Sequence, residues 1–200
     1  MQANANPVVR GDKVWLRVLE RDDIEASLRG INDREINDLV GFWGPMSKSM
    51  SEKWFEDEVL KKHGQREYYF AICELGSPAL IGQCGFHHLH PGLRAEVAIF
   101  LLPEYCGRGY GTDAMNALVD FGFGMIGFQR IGLHVSPWNE RAIRSYEKAG
   151  FKREGIMRSF RIRRGEVVDD LVMSIVRDEW TALDRPRSWD YPPLDGAQPA

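Results

Sequence analysis

Three glycines at alternate positions, Gly107, Gly109 and Gly111, lie between an apolar run and a helical pattern that begins near Thr112. Glycine permits positive φ angles and close approach of the main chain, so successive amide N–H groups can converge on an anion. The positive end of the following helix adds to this attraction. No Gly-Lys-Ser/Thr follows, which excludes a P-loop, and the spacing differs from a dinucleotide-binding fingerprint. The segment predicts a pyrophosphate site, with a flexible turn as the alternative.

A second group of candidate residues lies on the helix predicted over residues 139–149. Asn139 is a common type of N-cap, and Tyr146 follows about two turns later on nearly the same face. In a helix taken alone, such a tyrosine is more often a core residue than a reactive group. The helix also carries three cationic residues that either bind a phosphate or face solvent: Arg141, Arg144 and Lys148.

Alternation and apolar runs predict the elements that must position these residues. Strands are predicted at 14–18, 68–73, 80–86, 95–102, 130–135, 151–160 and 167–176. Helices are predicted at 22–29, 33–39, 112–123 and 139–149, with another that opens at a Ser49–Glu52 capping box and stops at Gly64. The strand at 95–102 is nearly all apolar after Glu96, so we expect it to be central and buried on both faces. The element order predicts a mixed α/β domain.

Composition limits the possible classes of protein. The chain has 200 residues, a net charge of −3 and a hydrophobic fraction of 44%, which are typical of a globular protein and give no general attraction to nucleic acid. No apolar run approaches the roughly 20 residues that span a bilayer, and the polar residues 1–7 predict no secretory signal. Three widely spaced cysteines are typical of free thiols. We predict a cytoplasmic protein without a metal site, membrane association or nucleic-acid partner.

The chain divides into three predicted parts. Residues 1–10 form a flexible N-terminus, and residues 11–180 form the domain. Residues 181–200 form a proline-rich tail, which has too little apolar surface to offset the entropy cost of ordering by itself.

Two motifs in this order resemble those of the GNAT superfamily of acetyl-CoA-dependent N-acetyltransferases. The glycine segment resembles the signature Q/R-x-x-G-x-G/A, with Cys106 where Gln or Arg is usual and Gly109 and Gly111 on the glycine positions. Residues 139–151 resemble the block N-x-x-A-x-x-x-Y-x-x-x-G-F. The likeness covers residues 11–180, and its opening is closest to the branch that contains ribosomal-protein N-terminal acetyltransferases. It implies a mixed α/β fold with a mostly antiparallel sheet, splayed between its fourth and fifth strands, and helices on both faces.

The resemblance implies acetyl-CoA as the co-substrate, with no metal, and assigns residues to it. Tyr146 would be the acid that protonates the departing thiolate. Glu96 is the candidate general base, with His87 and His88 as alternatives and an ordinary ion pair as the competing role. The candidate cofactor-binding residues are Ile99, Phe100, Leu101, Leu102, Cys106, Gly107, Arg108, Gly109, Tyr110, Gly111, Thr112, Asn139, Arg144 and Lys148. Residues 99–102, on the strand, would bind through their main chain.

The sequence does not identify the amine that accepts the acetyl group. Candidate acceptors are a protein N-terminus or a small-molecule amine, and the candidate substrate-binding residues are Trp43, His87 and Ser136. A homodimer is possible. One alternative is a non-catalytic acyl-CoA sensor. Another is a covalent route through the Cys84 thiol with a neighbouring histidine.

Overall fold

A computed structural model describes residues 9–41 and 44–192, and these form one eight-stranded sheet with helices on both faces. The strands are β1 (Val9–Arg10), β2 (Val14–Val18), β3 (Tyr68–Glu74), β4 (Leu80–His90), β5 (Arg94–Leu101), β6 (Arg130–Val135), β7 (Lys152–Arg163) and β8 (Glu166–Val176). Their spatial order is β1-β2-β3-β4-β5-β6-β8-β7. Only the β5–β6 pair is parallel, so the predicted mostly antiparallel sheet is confirmed.

The helices are α1 (Ile24–Ile31), α2 (Arg34–Val40), α3 (Lys48–Trp54), α4 (Tyr110–Asp120), α5 (Glu140–Lys148) and α6 (Arg177–Thr181). Short π-helical turns extend α3 and α4. The predicted capping box at Ser49 is wrong: the N-cap of α3 is Ser47, whose hydroxyl accepts from the Met50 amide at 3.2 Å. Ser47 takes the N-cap position that was predicted for Ser49, so the helix begins two residues earlier than predicted.

Each face of the sheet has its own core. One core lies under α4 and α5 and contains Leu118 and Ile143 together with β6 residues such as Leu133. The other lies under α1 and α3 and contains Ile24 and Phe55. Successive side chains of a strand point to opposite faces, so the central strands contribute to both cores.

The parallel pair β5–β6 is short. Within the described ranges its register has three pairs, Arg94–Arg130, Ala95–Ile131 and Glu96–Gly132, and then the strands part. The rest of β5 stays paired with β4 alone. This gap is the predicted splay. The sequence did not predict β1, so every strand number is higher by one, and the parting strands are the fifth and sixth rather than the fourth and fifth.

The expectation that β5 is buried on both faces is wrong for its second half. Ala98 is exposed, and Ile99 and Phe100 are only half-buried. The strand is central, as predicted, but beyond Glu96 it has a neighbour on one edge only. This half of the strand therefore borders the gap left by β6, although Ile99 and Leu101 also pack against the core under α4 and α5.

Residues beyond α6 contact the body of the domain, and one buried carboxylate makes several of these contacts. Asp120 on α4 accepts hydrogen bonds from the Trp180 indole at 2.8 Å, the Arg185 guanidinium at 2.8 and 2.9 Å and the Ser188 amide at 2.9 Å. The Asp120 side chain is almost fully buried. The segment predicted as a tail is therefore tied to α4 along its described part, while the three-part division of the chain stays a prediction.

We expect Asp120→Ala to lower the free energy of unfolding by about 3–5 kcal/mol, because it leaves buried donors and the Arg185 charge without a partner. Urea unfolding measures this change. Arg153→Ala is the control, since the Arg153–Glu147 pair is exposed and its loss costs less than about 1 kcal/mol. Equal effects of the two substitutions would contradict the structural role of Asp120.

Candidate active site

A cleft of about 350 Å³ opens where β5 and β6 part, and we call it the donor cleft. It is bounded by β5 and β6, by the start of α4 and by α5 and α2. The predicted cofactor-binding residues that line it are Ile99, Phe100, Leu101, Cys106, Gly107, Gly109, Gly111, Thr112, Asn139, Arg144 and Lys148. The fold therefore brings together residues from three separate stretches of the chain.

The glycine turn has the backbone geometry that an anion site requires. Gly107 and Gly109 have φ angles of 77° and 86°, in the left-handed region that favours glycine. Gly109 is the N-cap of α4, and the first intrahelical bond runs from the Asp113 amide to the Gly109 carbonyl at 3.1 Å. The amides of residues 110–112 precede that bond, so helix geometry leaves them available as donors. This donor set fits a pyrophosphate.

Three predicted cofactor residues place their side chains outside the lining of the cleft. Leu102 is buried in the core under α1 and α3. The Arg108 guanidinium lies over the Tyr105 ring, 5.8 Å from its centroid. The Tyr110 hydroxyl donates to the carboxylate of Glu74. The turn therefore contributes main-chain groups and not these side chains.

The far end of the cleft is cationic. Arg141, Arg144 and Lys148 of α5 all line it. Arg144 also contacts Glu140 at 2.9 Å, but both side chains are exposed, so this pair competes weakly with a bound phosphate.

Tyr146 of α5 lines the donor cleft opposite the open half of β5. Burial raises the pKa of its phenol to about 12. The hydroxyl is therefore protonated near neutral pH, as a proton donor must be. Asn139, one of the sequence candidates, caps α5 by accepting from the Ala142 amide at 3.2 Å and lines the same cleft.

A second cavity, of about 380 Å³, lies between the sheet and helices α1 and α3; we call it the acceptor cavity. It meets the donor cleft at β5, because Ala98, Ile99 and Phe100 line both. Its walls are mainly apolar, with Ile24 and Trp54 among them. The two spaces approach each other at the one place where the sheet is open.

The acceptor cavity contains an anionic group, Glu67. Burial by itself would raise the pKa of Glu67, but hydrogen bonds from the Tyr69 hydroxyl and from His87 at 3.1 Å hold it below its ordinary value. Glu58, a second carboxylate in the wall, pairs with Lys62. An ionised carboxylate in an apolar cavity favours a cationic ligand. His87 thus lines this second cavity.

Glu96 is not the buried carboxylate that the sequence suggested. It lies at the last β5–β6 pair, and its side chain is 42% exposed. Its Oε2 lies 3.1 Å from Nδ1 of His88 and 3.8 Å from Nε2 of His134. His134 of β6, which sequence reasoning missed, lines the donor cleft. Strand alternation places His134 on the face opposite Leu133 and Val135, but no motif in the sequence marks it.

The other candidates lie as follows. Ser136 is fully buried and donates to the Leu39 carbonyl at 3.3 Å, so it lines neither cavity and joins β6 to α2 instead. Trp43 lies outside the described residues. Burial raises the pKa of the Cys84 thiol, and His87 is paired with Glu67. The thiolate that a covalent route requires is therefore disfavoured.

A family model described as the acetyltransferase (GNAT) domain matches residues 13–152. The chain therefore belongs to the GNAT family, and it is an acetyl-CoA-dependent N-acetyltransferase. Within the described residues, no helix is long and apolar enough to cross a membrane.

Individual relatives agree with this assignment. The chain is 31% identical over 182 residues to spermidine N(1)-acetyltransferase of Escherichia coli, which covers 84% of this chain and 89% of the relative. It is 28% identical to the uncharacterized N-acetyltransferase YoaA of Bacillus subtilis, over 86% of this chain and 97% of that one. Spermidine N-acetyltransferase from Vibrio cholerae, solved with CoA and spermine, superposes with a TM-score of 0.77 at 25% identity, over 84% of this chain and 98% of that one.

We expect Gly109→Ala to cost about 1–2 kcal/mol of folding free energy, because alanine is strained at this φ. We also expect it to weaken acetyl-CoA binding about tenfold, equivalent to about 1.4 kcal/mol, by displacing the amide donors. Isothermal titration calorimetry measures the affinity. Gly92→Ala is the matched control, with a φ of 69° in a turn remote from the donor cleft. It should share the stability cost and leave acetyl-CoA affinity unchanged; a loss of affinity in both would contradict the assignment.

Proposed function

We propose that the protein transfers the acetyl group directly from acetyl-CoA to a primary amine of a small molecule, with both substrates bound at once. One observation carries this proposal: the donor cleft and the acceptor cavity meet at Ala98, Ile99 and Phe100, where β5 and β6 part. Two substrates that enter from opposite faces of the sheet would bring their reacting ends together there. A sensor of acyl-CoA would need the donor cleft alone.

Tyr146 acts as the acid in this proposal. Acetyl-CoA supplies an activated thioester, and departure of the thiolate is favoured when a nearby group gives it a proton. The Tyr146 hydroxyl lines the cleft and keeps its proton because burial raises its pKa to about 12. The turn amides and the cations of α5 would hold the nucleotide end, and the open half of β5 would bind the arm between the two ends.

The acceptor that the cavity fits best is a cationic amine with an apolar spacer. The walls are mainly apolar, and Glu67 provides a negative charge within them. The relatives named as spermidine N-acetyltransferases support a small-molecule amine of this kind. A protein N-terminus, the acceptor suggested by the resemblance to the ribosomal-protein branch, is the alternative that an experiment must separate.

A panel of acceptors, scored by release of free thiol from acetyl-CoA, tests this function. The panel contains a diamine, spermidine, an amino sugar, an aminoglycoside and a peptide with a free N-terminus. We expect thiol release only when an amine is present, and the highest kcat/KM for the acceptors with a second cationic group. Tight binding of acetyl-CoA without turnover across the panel would favour the sensor, and preference for the peptide would favour the ribosomal-protein branch.

We expect Tyr146→Phe to lower kcat about 100-fold with little change in acetyl-CoA binding, because only the acid is lost. Steady-state thiol release and calorimetry measure the two quantities. Tyr105→Phe is the control: this tyrosine lies beside the turn but lines neither cavity. An unaltered kcat in the Tyr146 variant would reject the acid role.

A further inference from the structure

The proposed reaction, on which this inference rests, produces one proton per turnover. An alkyl ammonium has a pKa near that of lysine, about 10, so the acceptor arrives protonated at neutral pH. Its nitrogen loses two protons on becoming an amide, and the coenzyme A thiol gains one. The remaining proton has to leave a partly enclosed site, and a chain of titratable side chains is one way to carry it out.

Three such side chains lie in a row at the point where β5 and β6 part. The Glu96 carboxylate lies between two imidazoles, with its Oε2 3.8 Å from His134 Nε2 and 3.1 Å from His88 Nδ1. The side chains of His134, Glu96 and His88 are 19%, 42% and 75% exposed, in that order. Exposure therefore rises step by step from the donor cleft, which His134 lines, to the solvent around His88.

The backbone of His88 is in an uncommon conformation that aims its ring at Glu96. Its φ is 50°, in the left-handed region that few non-glycine residues adopt. The register between β4 and β5 shifts between His87 and His90, so His88 lies in an irregular part of the ladder. Such irregularities re-aim a side chain and recur beside active sites.

The neighbouring histidines of β4 do not share this arrangement. His87 contacts Glu67, on the acceptor side, and His90 contacts Arg94 at 3.3 Å. Among the histidines at this end of β4, His88 is therefore the one that contacts Glu96. A strained backbone and a specific carboxylate contact coincide at one residue.

His134 is held at the inner end of the row. Its ring stacks on Phe160, with centroids 4.8 Å apart and planes 9° from parallel. Its Nδ1 is buried without a hydrogen-bond partner among the described residues. Arg161, next to Phe160, forms an ion pair with the buried carboxylate of Asp170. The charged group that faces the His134 imidazole is therefore Glu96.

We propose that His134, Glu96 and His88 form a relay that carries the proton of the acceptor ammonium to solvent. The N–H bond of the ammonium breaks, and its proton is taken up by the Glu96–His134 pair at the gap. His88 then receives a proton from Glu96 at Nδ1 and releases one from Nε2 to water or buffer. The pair is left as it began. The second proton that the nitrogen loses goes to the Tyr146 phenolate and replaces the proton that Tyr146 gave to the thiolate.

His88→Asn tests the relay, because asparagine tolerates the left-handed backbone but does not carry a proton. We expect kcat at low buffer concentration to fall about tenfold, and to be restored severalfold by adding imidazole at constant pH and ionic strength. The KM for acetyl-CoA should not change. His90→Asn, an exposed histidine on the same strand that does not contact Glu96, is the matched control and should leave kcat within about twofold of the unaltered protein.

The outcomes separate the relay from the proposed function. Thiol release by the unaltered protein with a loss in His88→Asn that imidazole restores supports the relay. The relay is overturned if imidazole has no effect, or if His90→Asn loses as much activity. Absence of amine-dependent thiol release in the unaltered protein would overturn the proposed function itself. Urea unfolding of each variant shows whether a lost rate reflects a lost fold.

Discussion

The arrangement of this protein depends on the parting of β5 from β6 after Glu96 and Gly132. Beyond that pair, β5 has a described strand neighbour on its β4 edge only, and its other edge borders the donor cleft. A ligand that carries its own amides, as the pantetheine arm of coenzyme A does, suits this opening.

The same parting separates two chemical environments. On one side are the amides of the glycine turn and the cations of α5, which suit an anionic donor. On the other side lies an apolar cavity with Glu67, whose pKa is held below its ordinary value and which suits a cation. The two environments meet over three residues of β5.

Ion pairs in the β7–β8 hairpin hold the rim of this opening. Arg161 pairs with the buried Asp170, and Arg163 and Arg164 both contact Asp38 of α2. These three arginines are therefore engaged within the protein. They join the last hairpin to the helix that covers the donor cleft.

The sequence by itself determined seven of the eight described strands, most helices and the position of the glycine turn, because alternation, caps and alternate glycines are local properties of the chain. It also determined the family, since the glycine turn and the 139–151 block carry their pattern in consecutive residues. Only the tertiary structure decided that β5 is half open, that Ser136 and Leu102 lie outside the cleft, and that Glu96 lies between His88 and His134. Those facts depend on which strands pair and where they part, and pairing between distant segments leaves no local pattern in the chain.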